Sequence, residues 1–136
     1  MIPAPAALAK NIKNAVESDM SIENGNFDVL NSMNPDRRGW VVGDYIEGGT
    51  LRKSNVVQVK WARHKKGLKK VSGADLKPDV STLVILVSGR WKQTFPDESK
   101  DIVLSEIGDY VIYTGQEHKA EALEDSCLGI VRWKEA

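Results

Sequence analysis

Two histidines, His64 and His118, are the only imidazoles in the sequence. Imidazole nitrogens bind first-row transition metals, but such sites usually need three or more ligands of the His, Cys or carboxylate kind. Glu117 and Glu121 are the carboxylates nearest to His118. Because neighbouring residues of a strand point to opposite faces, Glu117 can join His118 only across a bulge. Two interpretations of the histidines therefore remain. They are either two ligands of a metal ion, or hydrogen-bonded residues of a pocket or of the surface.

Basic residues are concentrated between Lys60 and Lys70, a segment that reads Lys-Trp-Ala-Arg-His-Lys-Lys-Gly-Leu-Lys-Lys. Such a cluster can hold an anionic ligand or a phosphate. A solvated hairpin loop is the plainer interpretation, and we favour it. The segment from Asp97 to Asp125 is predominantly acidic. The two segments together also suit a salt-rich contact between subunits.

Aromatic residues at strand positions suit the wall of a small-molecule pocket, although they belong more often to a core. The four aromatic candidates are Trp61, Trp91, Tyr113 and Trp133. Polar residues in strands would give such a pocket its specificity. The predicted ligand-binding residues are therefore Gln58, Lys60, His64, Arg90, Trp91, Tyr113, His118 and Arg132. No catalytic residue is predicted.

The single cysteine, Cys127, has no obvious histidine and acid partners in the sequence. We therefore expect a buried structural thiol and not a nucleophile. The sequence contains no phosphate-binding loop, no dinucleotide fingerprint, no Gly-X-Ser-X-Gly elbow and no zinc-ligand spacing. These motif-defined classes of enzyme receive no support.

The elements that must position these residues are short strands. Turn residues separate eight apolar or alternating runs, a pattern typical of a sandwich, jelly roll or barrel. Before them, Ala4–Ser18 has helical spacing, and Asp19–Arg38 is predicted to be a loop or linker. The predicted strands are Trp40–Ile46, Asn55–His64, Val80–Ser88, Arg90–Phe95, Ile102–Leu104, Tyr110–Tyr113, His118–Leu123 and Ser126–Trp133.

Alternation within the runs assigns residues to faces. Lys60 shares a face with Gln58 and Ala62, because side chains two apart on a strand point the same way. The run from Leu83 to Val87 is apolar on both faces. A strand of this kind is predicted to lie centrally in its sheet, covered on both sides.

Composition restricts the class of protein. The chain has 136 residues, the size of one domain, with 19 basic and 19 acidic side chains. Proteins that wrap nucleic acid usually have a basic excess, so no nucleic-acid partner is expected. No apolar run approaches the roughly 18 residues of a membrane span, and residues 1–16 lack a signal-peptide pattern. One cysteine cannot form an internal disulfide, so we expect a cytoplasmic protein.

Several of these runs resemble the motifs of small bacterial cupin-domain proteins. Leu83–Arg90 is similar to the central cupin hairpin, in which a hydrophobic strand ends at a required glycine. Gly108–Tyr113, followed by Gln116 and His118, resembles the second cupin motif. The last hairpin is similar over Glu121–Ser126 and Val131–Trp133, and with Trp40–Lys60 the resemblance covers roughly residues 40–134. It implies an all-β, cupin-type antiparallel barrel or jelly roll (RmlC-like) over residues 39–136, after a helical arm and linker over 1–38.

The metal ligands of the cupin family do not carry over. Thr114 stands at the proline of the second motif, Gln116 stands at its glycine, and His118 comes one residue early. Counting back from Gly89 puts Thr82 at the glutamate position of the first motif. The expected His-X-His is missing just upstream. His64 is a remnant of it only if residues 65–79 are an inserted loop.

These observations favour a binding cupin for a small polar or anionic molecule, without strong catalysis and with no bound cofactor. One alternative is a metal-dependent enzyme of the dioxygenase or isomerase kind, with iron, manganese, nickel or zinc at His64 and His118. Another is a structural or interaction barrel whose core is filled. Barrels of this resemblance commonly pair, so a homodimer is expected, with arm or edge-strand contacts between subunits. The sequence does not decide whether a reaction is catalysed.

Overall fold

The structure is a computed structural model that describes residues 21–72 and 77–134. The chain divides into two compact units, one ending at Gln58 and the other beginning at Val59. The helix predicted over Ala4–Ser18 lies outside the described residues. None of the helices within the described ranges is both long and apolar enough to cross a membrane.

The first unit contains a short helix, α1 (Phe27–Met33), where the sequence analysis expected a loop. The Asn26 side chain starts it by accepting a hydrogen bond from the Val29 amide at 3.1 Å. A helix of seven residues is too short to show a clear apolar period, which explains why it was missed. A 3-10 turn at Pro35–Arg37 and strand β1 (Trp40–Val42) follow.

Arg52 holds the first unit together. Its Nε donates to Glu23 at 2.6 Å, and its Nη1 donates to the carbonyl of Val41 at 3.1 Å. Glu23 also accepts a hydrogen bond from the Leu51 amide. Charge-assisted hydrogen bonds of this kind are stronger than neutral ones, so one guanidinium ties three segments together.

The remaining strands form two antiparallel sheets. The strands are β2 (Val57–His64), β3 (Lys69–Ser72), β4 (Val80–Ser88), β5 (Trp91–Phe95), β6 (Lys100–Leu104), β7 (Tyr110–Thr114), β8 (His118–Ala122) and β9 (Ser126–Lys134). One sheet contains the order β2-β9-β4-β7, and the other has the order β3-β8-β5-β6. The predicted all-β class is confirmed.

Most predicted strands occur within one or two residues of their expected bounds, but two predictions were wrong. The strand expected over Trp40–Ile46 ends at Val42. Lys69–Ser72 is a strand, although three of the four residues are polar and the segment looks like a loop. It pairs with β8, so tertiary pairing overrides a low local preference for strand.

The core of the second unit lies between buried residues of both sheets. Leu86 on β4 is paired with Leu128 on β9, and both are fully buried. Strand β4 lies between β9 and β7, which confirms its predicted central position. The other buried members of the core are Val84, Trp91, Phe95, Leu104, Val111, Ala120 and Ala122.

Gly89 closes the hairpin between β4 and β5 at a positive φ of 91°. A Cβ there would lie 2.2 Å from the carbonyl oxygen of Asp125. Ser126 approaches the same turn, because its Oγ accepts a hydrogen bond from the Arg90 amide at 3.0 Å. Only glycine satisfies both the backbone conformation and this close approach.

Candidate functional site

Every charged strand residue on the inner face of the second unit, the face that holds the core, is basic. Register assigns the faces: Lys70 is paired with the buried Ala120, and Arg132 is paired with the buried Thr82. The acidic strand residues Asp101 and Glu121 belong to the opposite, outer face, because they alternate with core positions. The inner basic residues of the described strands are Lys60, Lys70, Lys100, Arg132 and Lys134.

A charge-balanced chain thus places only positive charge on its inner strand positions. Lys134 is neutralised locally by Asp79 at 3.5 Å, at the end of β9. Lys60 is half-buried and the other four are exposed, so this positive charge lies mainly at the solvent-accessible margins of the inner face, where it can attract anions.

Tyr113 and His118 form the best-defined polar pair on this face. The Tyr113 hydroxyl lies 3.3 Å from His118 Nε2, and the His118 Nδ1 lies 3.0 Å from the carbonyl of Gln116. A carbonyl can only accept, so Nδ1 carries the proton and donates to it. Nε2 is then an acceptor, and Tyr113 donates its hydroxyl proton to it. The backbone of the β7–β8 turn thus sets the tautomer of His118.

Three strands bring further polar groups to Tyr113. Thr82 on β4 is paired with Tyr113 on one side and with Arg132 on the other. Burial raises the pKa of the Tyr113 phenol, while Gln93, Arg132 and Thr82 each act to lower it. Tyr113 is thus a mostly buried phenol, with Thr82 next to it in register and the Arg132 charge one strand further on.

Gln93 is buried in the middle of β5, with 2% of its surface exposed. Its Oε1 accepts a hydrogen bond from Trp91 Nε1 at 3.2 Å. Its Nε2 lies near Tyr113 but makes no hydrogen bond of acceptable geometry with any described group. Buried donors are rarely left unpaired, because the desolvation penalty is about 1–3 kcal/mol. This amide is available to a ligand or to water.

His64 lies at another part of the inner face, at the end of β2. Its ring stacks on Trp91, with centroids 5.3 Å apart and planes 24° apart. Its Nε2 is buried and has no hydrogen-bond partner among the described residues. Burial, together with the positive charges of Lys70 and Lys60, lowers the pKa of His64 to about 4. The ring is therefore neutral at pH 7 in the free protein.

The predicted site residues fall into three groups. Tyr113, His118, Trp91, His64, Lys60 and Arg132 belong to the inner face. Arg90 is exposed at the Gly89 hairpin, where its backbone and not its side chain holds the turn. Gln58 is half-buried on β2, at the last position of the first unit.

Two of the four aromatic candidates point away from the core. Trp61 alternates with Ala62 and His64, and Trp133 alternates with Arg132, so both belong to the outer face. Sequence reasoning missed Gln93 and Thr82 as site residues, and it included Lys70 only in the basic cluster Lys60–Lys70, for which a solvated loop was the favoured interpretation. Gln93 could have been found, because it lies two residues from Trp91 and therefore shares its face. Thr82 and Lys70 required the register between strands.

The described residues do not fit the metal site of the alternative interpretation. No three His, Cys, Asp or Glu side chains converge anywhere in residues 21–72 and 77–134. His64 packs against Trp91, whereas His118 packs against Phe95 at 6.0 Å. Those aromatic neighbours are four residues apart on one strand, about 13 Å along it. The two histidines serve different parts of the inner face.

The second unit has two antiparallel sheets that enclose a core, with a polar cluster on their inner faces. This architecture is that of a cupin-type jelly roll, and solved structures confirm the fold. The chain is similar to the RmlC-like cupin protein from Desulfovibrio desulfuricans, at 13% identity and a TM-score of 0.51, over 89% of this chain and 99% of that one. It is also similar to KdgF from Halomonas sp., at 17% identity and a TM-score of 0.51, over 61% and 73%.

A third similar structure is the EutQ protein from Clostridium difficile, at 10% identity and a TM-score of 0.50, over 63% of this chain. The matched part spans 58% of that EutQ chain. No family model matches this sequence. No curated protein matches it either. At these identities the similarity shows the fold alone.

Proposed function

We propose that this protein binds a small organic anion on the inner face of its jelly roll, at Arg132, Tyr113, Gln93 and Thr82. The observation that carries the proposal is the charge on that face, where every charged strand position is basic. Arg132 supplies the charge, and the unpaired Nε2 of Gln93 supplies a buried donor. A guanidinium binds carboxylate or phosphate through paired hydrogen bonds.

The apolar neighbours of this cluster suit the rest of a small molecule. Phe95 makes an edge contact with Tyr113, with ring centroids 5.4 Å apart. Ile102 and Ile130 are partly buried against the same core. Ligand sites typically combine such apolar walls with a few convergent polar groups. A barrel filled only for structural reasons does not explain why Gln93 is buried with an unpaired donor.

A test exchanges Tyr113 for Phe, which removes one hydroxyl and keeps the ring. The hydroxyl donates to His118 in the free protein and would turn to donate to the bound anion. The affinity for the anion should therefore fall about tenfold in the variant, because one hydrogen bond to a charged group is lost. Tyr110→Phe is the matched control: it lies on the same strand but is 62% exposed on the outer face. Calorimetric titration with small carboxylates and phosphate esters measures the effect, with the corresponding amides and alcohols as uncharged analogues.

Binding of the amides as tightly as the carboxylates would contradict an anion site. So would equal affinity of the Tyr113→Phe and Tyr110→Phe variants. Arg132→Gln should weaken every anion, and Lys119→Gln, an exposed outer-face residue of β8, should weaken none.

A further inference from the structure

Strand β7 is an exposed edge of its sheet. It pairs with β4 on one side, and no strand of the described ranges pairs with its other side. β7 has no charged residue, whereas both edge strands of the other sheet carry charges: Lys69 and Lys70 on β3, and Lys100 and Asp101 on β6. Because charged side chains discourage further pairing at an edge, β7 lacks a protection that β3 and β6 have.

The hydrogen bonds at the start of β7 show which backbone groups of this strand bond to β4. The Leu86 amide donates to the carbonyl of Asp109 at 2.9 Å, and the Gly108 amide donates to the carbonyl of Leu86 at 2.8 Å. In an antiparallel pair, every second residue points its N–H and C=O groups at the partner strand. Counted from Asp109 along the observed register, the residues that point at β4 are Val111 and Tyr113.

The other residues of β7, Tyr110, Ile112 and Thr114, therefore point their backbone N–H and C=O groups at the free edge. None of these six groups has a hydrogen-bond partner among the described residues. Three donor–acceptor pairs at regular spacing form a template for one more strand.

The outer face beside this edge is apolar. Ile112 is paired with Leu83 of β4, and Tyr110 is paired with Ile85. Tyr110 and Ile112 are 62% and 50% exposed. An additional strand at the edge would cover part of both side chains and remove apolar surface from water.

The edge of β7 is complementary to a second copy of itself. When two β7 strands run antiparallel about a two-fold axis at Ile112, Ile112 faces its own counterpart and Tyr110 faces Thr114 of the second copy. All three residues then form hydrogen-bonded pairs, so the six edge groups of each copy are satisfied together. A shift of the register by two residues leaves one residue of each strand unpaired.

Charge and packing are compatible with this register. Asp109, just before β7, would come beside Gly115 of the second copy, so no two acidic side chains meet. On the inner face, Val111 of the second copy would lie opposite Tyr113, so an apolar side chain meets a largely apolar ring. A second copy is favoured over an unrelated peptide, because this chain itself supplies a strand of the matching length, register and lack of charge.

We infer that β7 pairs antiparallel with β7 of a second copy of this chain, in the register that puts Ile112 opposite Ile112. Two sheets are thereby joined into one, and the strand that carries Tyr113 becomes an internal strand. The inference is independent of the proposed anion site, because it uses only the edge and the outer face of β7.

Disulfide trapping tests this register. Opposite residues of a hydrogen-bonded pair have Cα atoms about 5.5 Å apart, a distance that a disulfide can bridge. Ile112→Cys should therefore form a covalent dimer under mild oxidation at least about tenfold faster than Val71→Cys, which is 74% exposed on the other sheet and reacts only by collision. Tyr110→Cys should not link to itself, but it should link to Thr114→Cys when the two variants are mixed. The native Cys127 is buried and stays unreacted.

Ile112→Pro tests the backbone pairing. Proline removes an amide that faces the free edge and leaves the ladder between β4 and β7 intact, so the fold should be kept while sedimentation shows a monomer. Ile112→Val keeps the amide and should remain dimeric. A monomeric native chain would overturn the inference, and so would a dimeric Ile112→Pro variant. Self-linking of Tyr110→Cys as fast as that of Ile112→Cys would also contradict the register.

Discussion

At the scale of single residues, the site is built from polar groups whose hydrogen-bonding capacity is only partly used. The side-chain Oε1 of Gln93 accepts a hydrogen bond from Trp91, while its Nε2 has no hydrogen-bond partner among the described residues. Tyr113 donates to His118, whose tautomer is fixed by a backbone carbonyl. Burying polar groups costs free energy, and core packing alone would favour apolar side chains at these positions. We therefore interpret these residues as candidates for ligand binding.

His64 makes the protein sensitive to acid. Its pKa is about 4 in the folded protein and about 6.5 in an unfolded chain, because burial and two lysines disfavour the imidazolium. As the pH falls below about 6.5, the unfolded chain takes up the proton first, so stability is lost between the two values. Above about pH 6.5 this effect is absent. The His64→Phe variant, which keeps a ring on Trp91, should lose less stability than the native chain between about pH 6.5 and pH 4.

Urea unfolding of the native chain and of His64→Phe at several pH values measures the difference. Parallel loss of stability in the two proteins between pH 6.5 and 4 would contradict the assignment. NMR titration provides the direct check, since the His64 ring protons should report a pKa of about 4 in the folded protein.

At the scale of elements, two turns hold the strands that carry the site. Ser126 Oγ holds the Gly89 hairpin that starts β5. At the start of β7, Asp109 Oδ2 accepts hydrogen bonds from the amides of Ser105 and Glu106, each at 3.0 Å. Those two bonds lower the pKa of the Asp109 carboxyl. Trp91 and Tyr113 thus follow turns whose geometry is fixed by specific side chains.

Replacing Gly89 by Ala should destabilise the second unit by about 2 kcal/mol or more. The positive φ alone costs a side chain about 1–2 kcal/mol, and the added Cβ would also collide with the Asp125 carbonyl. Gly67→Ala isolates the first effect, because Gly67 has a φ of 92° and open space around a Cβ. Gly129→Ala has neither penalty. In thermal or urea unfolding, Gly89→Ala should be the least stable of the three variants, Gly67→Ala should be intermediate, and Gly129→Ala should be the most stable.

At the scale of the whole molecule, the sheet that carries Tyr113 ends at β7, an edge strand without a charged residue. Tyr110 and Ile112 on this strand are 62% and 50% exposed. Edge strands of soluble proteins are usually protected by charges, proline, bulges or a covering partner. An uncharged, exposed edge favours the expected homodimer, which remains a prediction.

Ile112→Lys should convert the dimer to a monomer, because it puts a charge in the middle of the edge strand. Val71→Lys is the matched control: Val71 is 74% exposed on the outer face of the other sheet. Sedimentation at tens of micromolar measures both variants beside the native chain and a chain shortened to begin at Arg38. A monomeric native chain refutes the dimer. If only the shortened chain is monomeric, the N-terminal segment makes the contact and the edge strand does not.

The sequence by itself determined most of the strands and the faces of their residues. Val80–Ser88 was predicted with its observed bounds, since a run of apolar residues ending at a required glycine leaves few other conformations. The placement of Lys60 and Ala62 on the same face of one strand also followed from the period of two in a strand. These features are local, so adjacent residues specify them.

Only the tertiary structure decided which faces meet. Tyr113, Thr82 and Arg132 come from three strands and are neighbours only through register, which depends on turn geometry and on the fit of the whole core. Lys69–Ser72 became a strand because β8 offered an edge to pair with, although its own residues gave no such indication. The concentration of positive charge on the inner face of a neutral chain also depends on tertiary structure. Alternation within each strand puts basic residues on one face, but only the pairing of distant strands brings these faces together.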